Sequence, residues 1–96
     1  MDLLILVTHP GAGPLFGPLA RACNRAGIEW GAFFTGEGVR LLREPAVLDE
    51  LGGAGRAVAC LDSWRHCMGE DPCPVESGSQ TDSSALAGRA RRVVPL

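Results

Sequence analysis

The sequence predicts an α/β domain, a three-layer sandwich around a mostly parallel sheet of four or five strands. Three observations lead there. Short apolar runs with the length of buried strands recur along the chain, at Leu3–Val7, around Ala32–Phe34 and at Ala57–Cys60. Stretches with helical spacing separate them. Glycine and proline clusters mark the junctions. Alternating β and α segments of this kind form parallel sheets with right-handed crossovers.

The 96 residues allow one domain with one core, and no repeat or linker divides them. The hydrophobic fraction of 46% suits a folded chain. A net charge of −2 argues against a nucleic-acid partner. All nine basic residues are arginine, so Schiff-base and P-loop lysine chemistry is excluded.

The elements follow in order. Leu3–Val7 is a continuous apolar run, as in a strand covered on both faces. It lacks the basic flank and cleavage site of a signal peptide. No stretch reaches membrane-spanning length. A cytoplasmic location without a membrane partner follows, and its four cysteines then read as thiols rather than structural disulfides.

Thr8–Pro14 reads as an irregular loop. Pro18 is best placed in a first turn, so the first helix is predicted to begin near Phe16 or Gly17. Leu15, Leu19, Ala22 and Ala26 share its expected apolar face, with Phe16 and Cys23 beside them. Gly27 is its natural stop. Ile28–Thr35 is the second strand, and Gly36-Glu37-Gly38 turns at its end. Val39–Leu42 forms a short helical piece. Pro45 opens the next helix, with Val47, Leu48 and Leu51 on its apolar face.

Arg56–Cys60 is the third strand, and the polar Asp62-Ser63 follows its end. Trp64–Met68 reads as helical, Gly69–Pro74 as a loop and Ser77–Ser84 as a mobile surface loop. A short helix near Ser84–Gly88 and a last strand at Arg92–Leu96 complete the chain.

Cys60 is the leading candidate for chemistry. Ligand sites of open α/β sheets gather at the carboxyl ends of strands. A helix N-terminus just beyond favours the thiolate, which is the nucleophile. A buried cysteine acting as a small apolar residue is the plain alternative. Cys67 and Cys73 are accessory candidates, able to resolve an oxidised Cys60 as a disulfide or to be incidental. With Cys60 and His66 they offer enough ligands for zinc, but the spacings match no ribbon or finger, and no metal is assigned. Cys23 belongs to the core.

His9, at the end of the first strand, would pair with Cys60 if their strands were neighbours. Glu37 would face the same cleft or sit in a surface turn. Trp64 would shield the thiol or join a subunit interface, and Trp30 belongs to the core or sheet surface. The Gly11/Gly13 loop lacks the phosphate-binding pattern and reads as a crossover turn.

From Leu3 to about Ser63, roughly two thirds of the chain, these segments resemble the DsrE/DsrF-like family, which includes the TusD-type sulfur-relay subunits. The resemblance rests on Val7–Gly13 after the first strand, on Ala26-Gly27, on Ala32-Phe33-Phe34-Thr35-Gly36-Glu37-Gly38-Val39 and on Ala59-Cys60. Arg91-Arg92-Val93-Val94 fits the family's last strand loosely. The segment from Trp64 to Ser84 has no counterpart.

The resemblance implies an α/β subunit that assembles as a trimer or hexamer, or with paralogous subunits. It implies a persulfide on Cys60, exchanged with sulfur donor and acceptor proteins without a cofactor. The alternatives are a non-catalytic subunit or small-ligand module with an inert Cys60, and a thiol redox sensor using Cys67 or Cys73.

Overall fold

A computed structural model describes residues 1–96. Its five strands form one all-parallel sheet in the order β4-β3-β2-β1-β5. They are β1 (Leu3–Val7), β2 (Trp30–Phe34), β3 (Arg56–Cys60), β4 (Glu76–Gly78) and β5 (Arg92–Pro95). The helices are α1 (Gly13–Ala26), α2 (Pro45–Leu51), α3 (Leu61–Met68) and α4 (Gln80–Arg89). Two 3-10 segments, Pro10–Ala12 and Gly36–Arg43, follow β1 and β2. The predicted three-layer α/β sandwich is therefore the observed fold.

The order of the strands dictates the layers. The connections through α1, α2 and α3 step along the sheet in one direction, so right-handed crossovers place these helices on one face. The connection through α4 returns from one edge to the other and places α4 on the opposite face. Alternation along each strand divides the core accordingly. Ile5, Val7, Ala32, Phe34 and Ala59 face the larger cluster with Phe16, Val47, Leu51 and Trp64. Leu4, Phe33, Val58 and Cys60 face Leu86 of α4. The side chain of Cys60 thus lies under α4.

Helix α1 begins earlier than the sequence suggests, at Gly13, and continues through Pro18. A mid-helix proline costs about 3 kcal/mol through its missing N–H and ring clash. Phe16 outweighs it. Its ring is fully buried against Trp30 and Phe34, with centroids 6.1 and 5.7 Å away. A buried phenylalanine contributes about 1.5–3 kcal/mol, and an aromatic pair about 0.5–1.5 kcal/mol more. The buried stripe is Phe16, Ala20 and Cys23, while Leu15 is 62% exposed. The face is rotated by about one residue (~100°) from the expected one, because Phe16 takes the core position. The helix ends at Gly27 with φ 67°, as the sequence predicts.

The segment read as a mobile loop, Ser77–Ser84, is ordered structure. It contains the end of β4 and the start of α4. Ser79 caps α4: its Oγ accepts from the Asp82 N–H, and the Asp82 carboxylate accepts from the Ser79 N–H at 2.7 Å. This reciprocal box satisfies two orphan donors and stops the polar segment from fraying.

Candidate active site

The strand ends determine the site. Cys60 is the last residue of β3 and the N-cap of α3. The neighbouring β2 ends at Phe34 and delivers Thr35 and Gly36 beside it. On the other side, Cys60 pairs in register with Gly78 of β4, and α4 starts two residues later. A Cβ on Gly78 would lie 2.7 Å from Val58 Cγ1 and 2.8 Å from Asp82 Oδ2. Only glycine lets the start of α4 pack this closely on β3. The Cys60 sulfur therefore lies near the N-termini of two helices, whose partial positive charge favours an anion.

Cys60 is 5% exposed. Burial alone pushes its pKa up. Hydrogen bonds from the Ser63 hydroxyl and N–H, the Gln80 side-chain amide and the Asp62 N–H more than reverse this, and the Cys60 thiol lies below its ordinary range. The surrounding hydrogen bonds are aligned for this role. The Gly36 N–H donates to Ser63 Oγ at 2.9 Å, which leaves the Ser63 hydroxyl proton free to donate. Gln80 Nε2 donates to Thr35 Oγ1 at 2.9 Å, and Thr35 Oγ1 lies 3.5 Å from Ser63 Oγ. No neighbouring charge is needed. Glu37 is paired with Arg40 and Cys67, and Asp82 with Ser79.

Of the accessory candidates, two come together. Cys67 Sγ donates to Glu37 Oε2 at 3.2 Å, and Arg40 pairs with the same carboxylate. Burial and then Glu37 push the Cys67 thiol up. Arg40 and then Cys67 hold the Glu37 carboxyl below its ordinary range. Glu37 and Cys67, with Gly36, Asp62, Ser63 and His66, line an open cleft of about 480 Å³, and Cys60 itself does not line it. Cys67 lies two helical turns beyond Cys60. A rise of 1.5 Å per residue separates their Cα atoms by roughly 10 Å, beyond the ~4.4–6.8 Å of a disulfide.

The other candidates lie apart. Cys73 is half-buried and packs on the larger core, on the far side of the sheet from the Cys60 side chain. It shares a separate cavity of about 590 Å³ with Leu61, Trp64 and Asp71. All four cysteines are free thiols. No three His, Cys, Asp or Glu side chains converge in a metal-binding arrangement.

His9 does not pair with Cys60. Strand β2 lies between their strands, and His9 Nδ1 instead accepts from the Gly11 N–H at 3.0 Å. Trp64 is buried in the larger core, so it neither shields the thiol nor offers an interface, and its Nε1 donates to the Asp71 carbonyl. Arg65 lines the separate cavity with Cys73. Trp30 and Cys23 are core residues, and burial pushes the Cys23 thiol up.

Ser63 and Gln80 escaped the sequence reading. Ser63, three residues after the N-cap, was findable as a first-turn donor. Gln80 had no local signal, because strand β4 brings it back across 20 residues of chain. No protein-family model and no curated protein matches this chain. No helix is long and apolar enough to cross a membrane.

Proposed function

We propose that this protein carries sulfane sulfur as a persulfide on Cys60 and passes it to a partner protein. The observation that carries this reading is a strand-end thiol held between two helix N-termini, with hydrogen-bond donors that favour the thiolate despite burial. The DsrE-like segments around Phe33–Val39 and Ala59-Cys60 point the same way. The step balances without an oxidant. The Cys60 thiolate attacks the outer sulfur of a donor persulfide, R–S–SH. The donor S–S bond breaks, and R–S⁻ leaves with the electron pair. Cys60–S–SH results. An acceptor thiolate then attacks that outer sulfur, and the Cys60 thiolate leaves.

Donor and acceptor are proteins with reactive thiols, met in a reducing cytoplasm where the four cysteines stay free. The protein works as a homo-oligomer or with paralogous subunits. Exposed Val93, beside the single helix on that side of the sheet, is apolar surface available to such an assembly.

The 5% exposure of Cys60 favours a second reading. Here the thiol is inert packing, and the Glu37–Cys67 cleft holds a small ligand. Intact mass after incubation with a sulfane-sulfur donor separates the two. The carrier gains one sulfur, and Cys60→Ser does not. No gain in the wild type, or a gain that persists in the variant, rejects the assignment of Cys60.

A further inference from the structure

A carrier thiol must meet its partner's sulfur, yet Cys60 is almost wholly covered. Its cover is specific. Gln80, an exposed residue at the first position of α4, directs its amide inward. One N–H donates to Thr35 Oγ1 at 2.9 Å, and the same amide is a donor that favours the Cys60 thiolate. The amide carries two donors, so both bonds are available at once. Because β3 lies between β2 and β4, the side chain spans from α4 to the end of β2 across the carboxyl end of β3, where Cys60 sits. The backbone beneath cannot shift to serve as the cover instead. Gly78 is packed against Val58 and Asp82, and the Ser79–Asp82 box holds the start of the helix.

We propose that Gln80 is the gating and positioning residue of Cys60: its side-chain amide, anchored on Thr35, closes over the thiol and swings outward to admit a sulfur donor. This rests on the carrier reading. Opening requires only side-chain rotation at an exposed helix position, with no change in the sheet. In the closed state the amide and the Ser63 hydroxyl favour the thiolate over the thiol. In the open state the outer sulfur of a donor can approach it. After transfer the same two donors face the persulfide and keep it from water. Glu37, Asp62, His66, Cys67 and Asp82 are charged or titratable groups near the ends of the elements around the thiol, and Arg40, Arg43, Arg56, Arg65, Glu76 and Arg89 lie further along the same elements. None of them bonds to Gln80.

The test is the pH profile of Cys60 alkylation, read on the tryptic peptide Ala57–Arg65, which contains no other cysteine. A small reagent, iodoacetamide, is compared with a bulky polyethylene-glycol maleimide. The plateau rate at high pH reports access, and the midpoint reports the thiol's hold on its proton. Gln80→Ala should raise the bulky-reagent plateau by about fivefold, the opening equilibrium that one net hydrogen bond sets. It should also move the midpoint up. Gln80→Leu loses both the donor and the anchor, so it should move the midpoint up and raise the plateau as Gln80→Ala does. Thr35→Val should raise the plateau by freeing the anchor. A Gln80→Ala protein with the wild-type plateau and midpoint overturns the gate. Sulfur loading is read separately by intact mass. Loading of the wild type with unchanged Gln80 variants rejects the gate and keeps the carrier. Altered alkylation in a protein that never loads sulfur rejects the carrier and keeps Gln80 as the cover of Cys60.

Discussion

The reactivity of Cys60 is decided by two opposed effects at one sulfur atom. Burial disfavours the thiolate, and the donors of Ser63, Gln80 and Asp62 favour it more strongly. Ser63→Ala removes the hydroxyl donor, whose bond to a charged group contributes about 1.5–3 kcal/mol. Alkylation of Cys60 at neutral pH should slow by about tenfold, the rate factor that the low end of that range sets. An unchanged rate would show that the backbone donors suffice. The same balance links Cys60 to stability. Its folded pKa is depressed, so its contribution is complete above the unfolded value of about 8.5 and is lost as pH falls through the folded pKa. The stability difference between wild type and Cys60→Ser should therefore grow as pH rises through that window. Cys23 and Cys67 are shifted the opposite way, and they act equally in both proteins. Urea titrations at a series of pH values measure the difference. A flat difference curve would refute the thiolate-stabilising arrangement.

At the scale of elements, the junction of β4 and α4 positions the site. Ser79 satisfies the first turn of α4 through its reciprocal bonds with Asp82. Ser79→Ala should cost about 1 kcal/mol of stability. It should also speed amide exchange in α4 before the rest of the fold. Gly78→Ala acts differently. The added methyl would press on Val58 and Asp82, so the strand and the helix must separate. Overpacking of this kind costs about 1–3 kcal/mol. It should carry Gln80 away from Cys60, raising the alkylation plateau in the same way as Gln80→Ala. A Gly78→Ala protein with wild-type stability and alkylation would mean that α4 is not held by this contact.

The whole molecule is asymmetric about its sheet. Three helices cover one face and one helix covers the other. Leu86 is the one fully buried side chain that α4 contributes, and it packs with Leu4, Phe33, Val58 and Cys60. Leu86→Ala should cost about 2–5 kcal/mol, as large-to-small core changes do. It should also loosen the layer that covers the thiol. Chemical denaturation reads the first effect and Cys60 alkylation the second. Stability lost without a change in alkylation would separate the cover from the core. Sedimentation equilibrium tests the proposed assembly, and a monomer at high concentration would remove the oligomer from the reading.

Local chemistry was enough to read β1, the start of α2 at Pro45, the stop at Gly27 and a thiol at the end of β3. Each depends on neighbours within a few residues: a run of apolar side chains, a fixed φ, a left-handed turn. The start of α4 had a local signal too, in Ser79 and Asp82, but the polar composition around it masked the box. Period-two alternation told that Val58 and Cys60 share a face. It left open which helices lie on that face, because strand order and crossover hand decide this and both are properties of the folded sheet. The separation of His9 from Cys60 by β2, and the meeting of Thr35 with Ser63 and Gln80, 28 and 45 residues further along the chain, come from segments distant in sequence. Only the tertiary structure could bring them together.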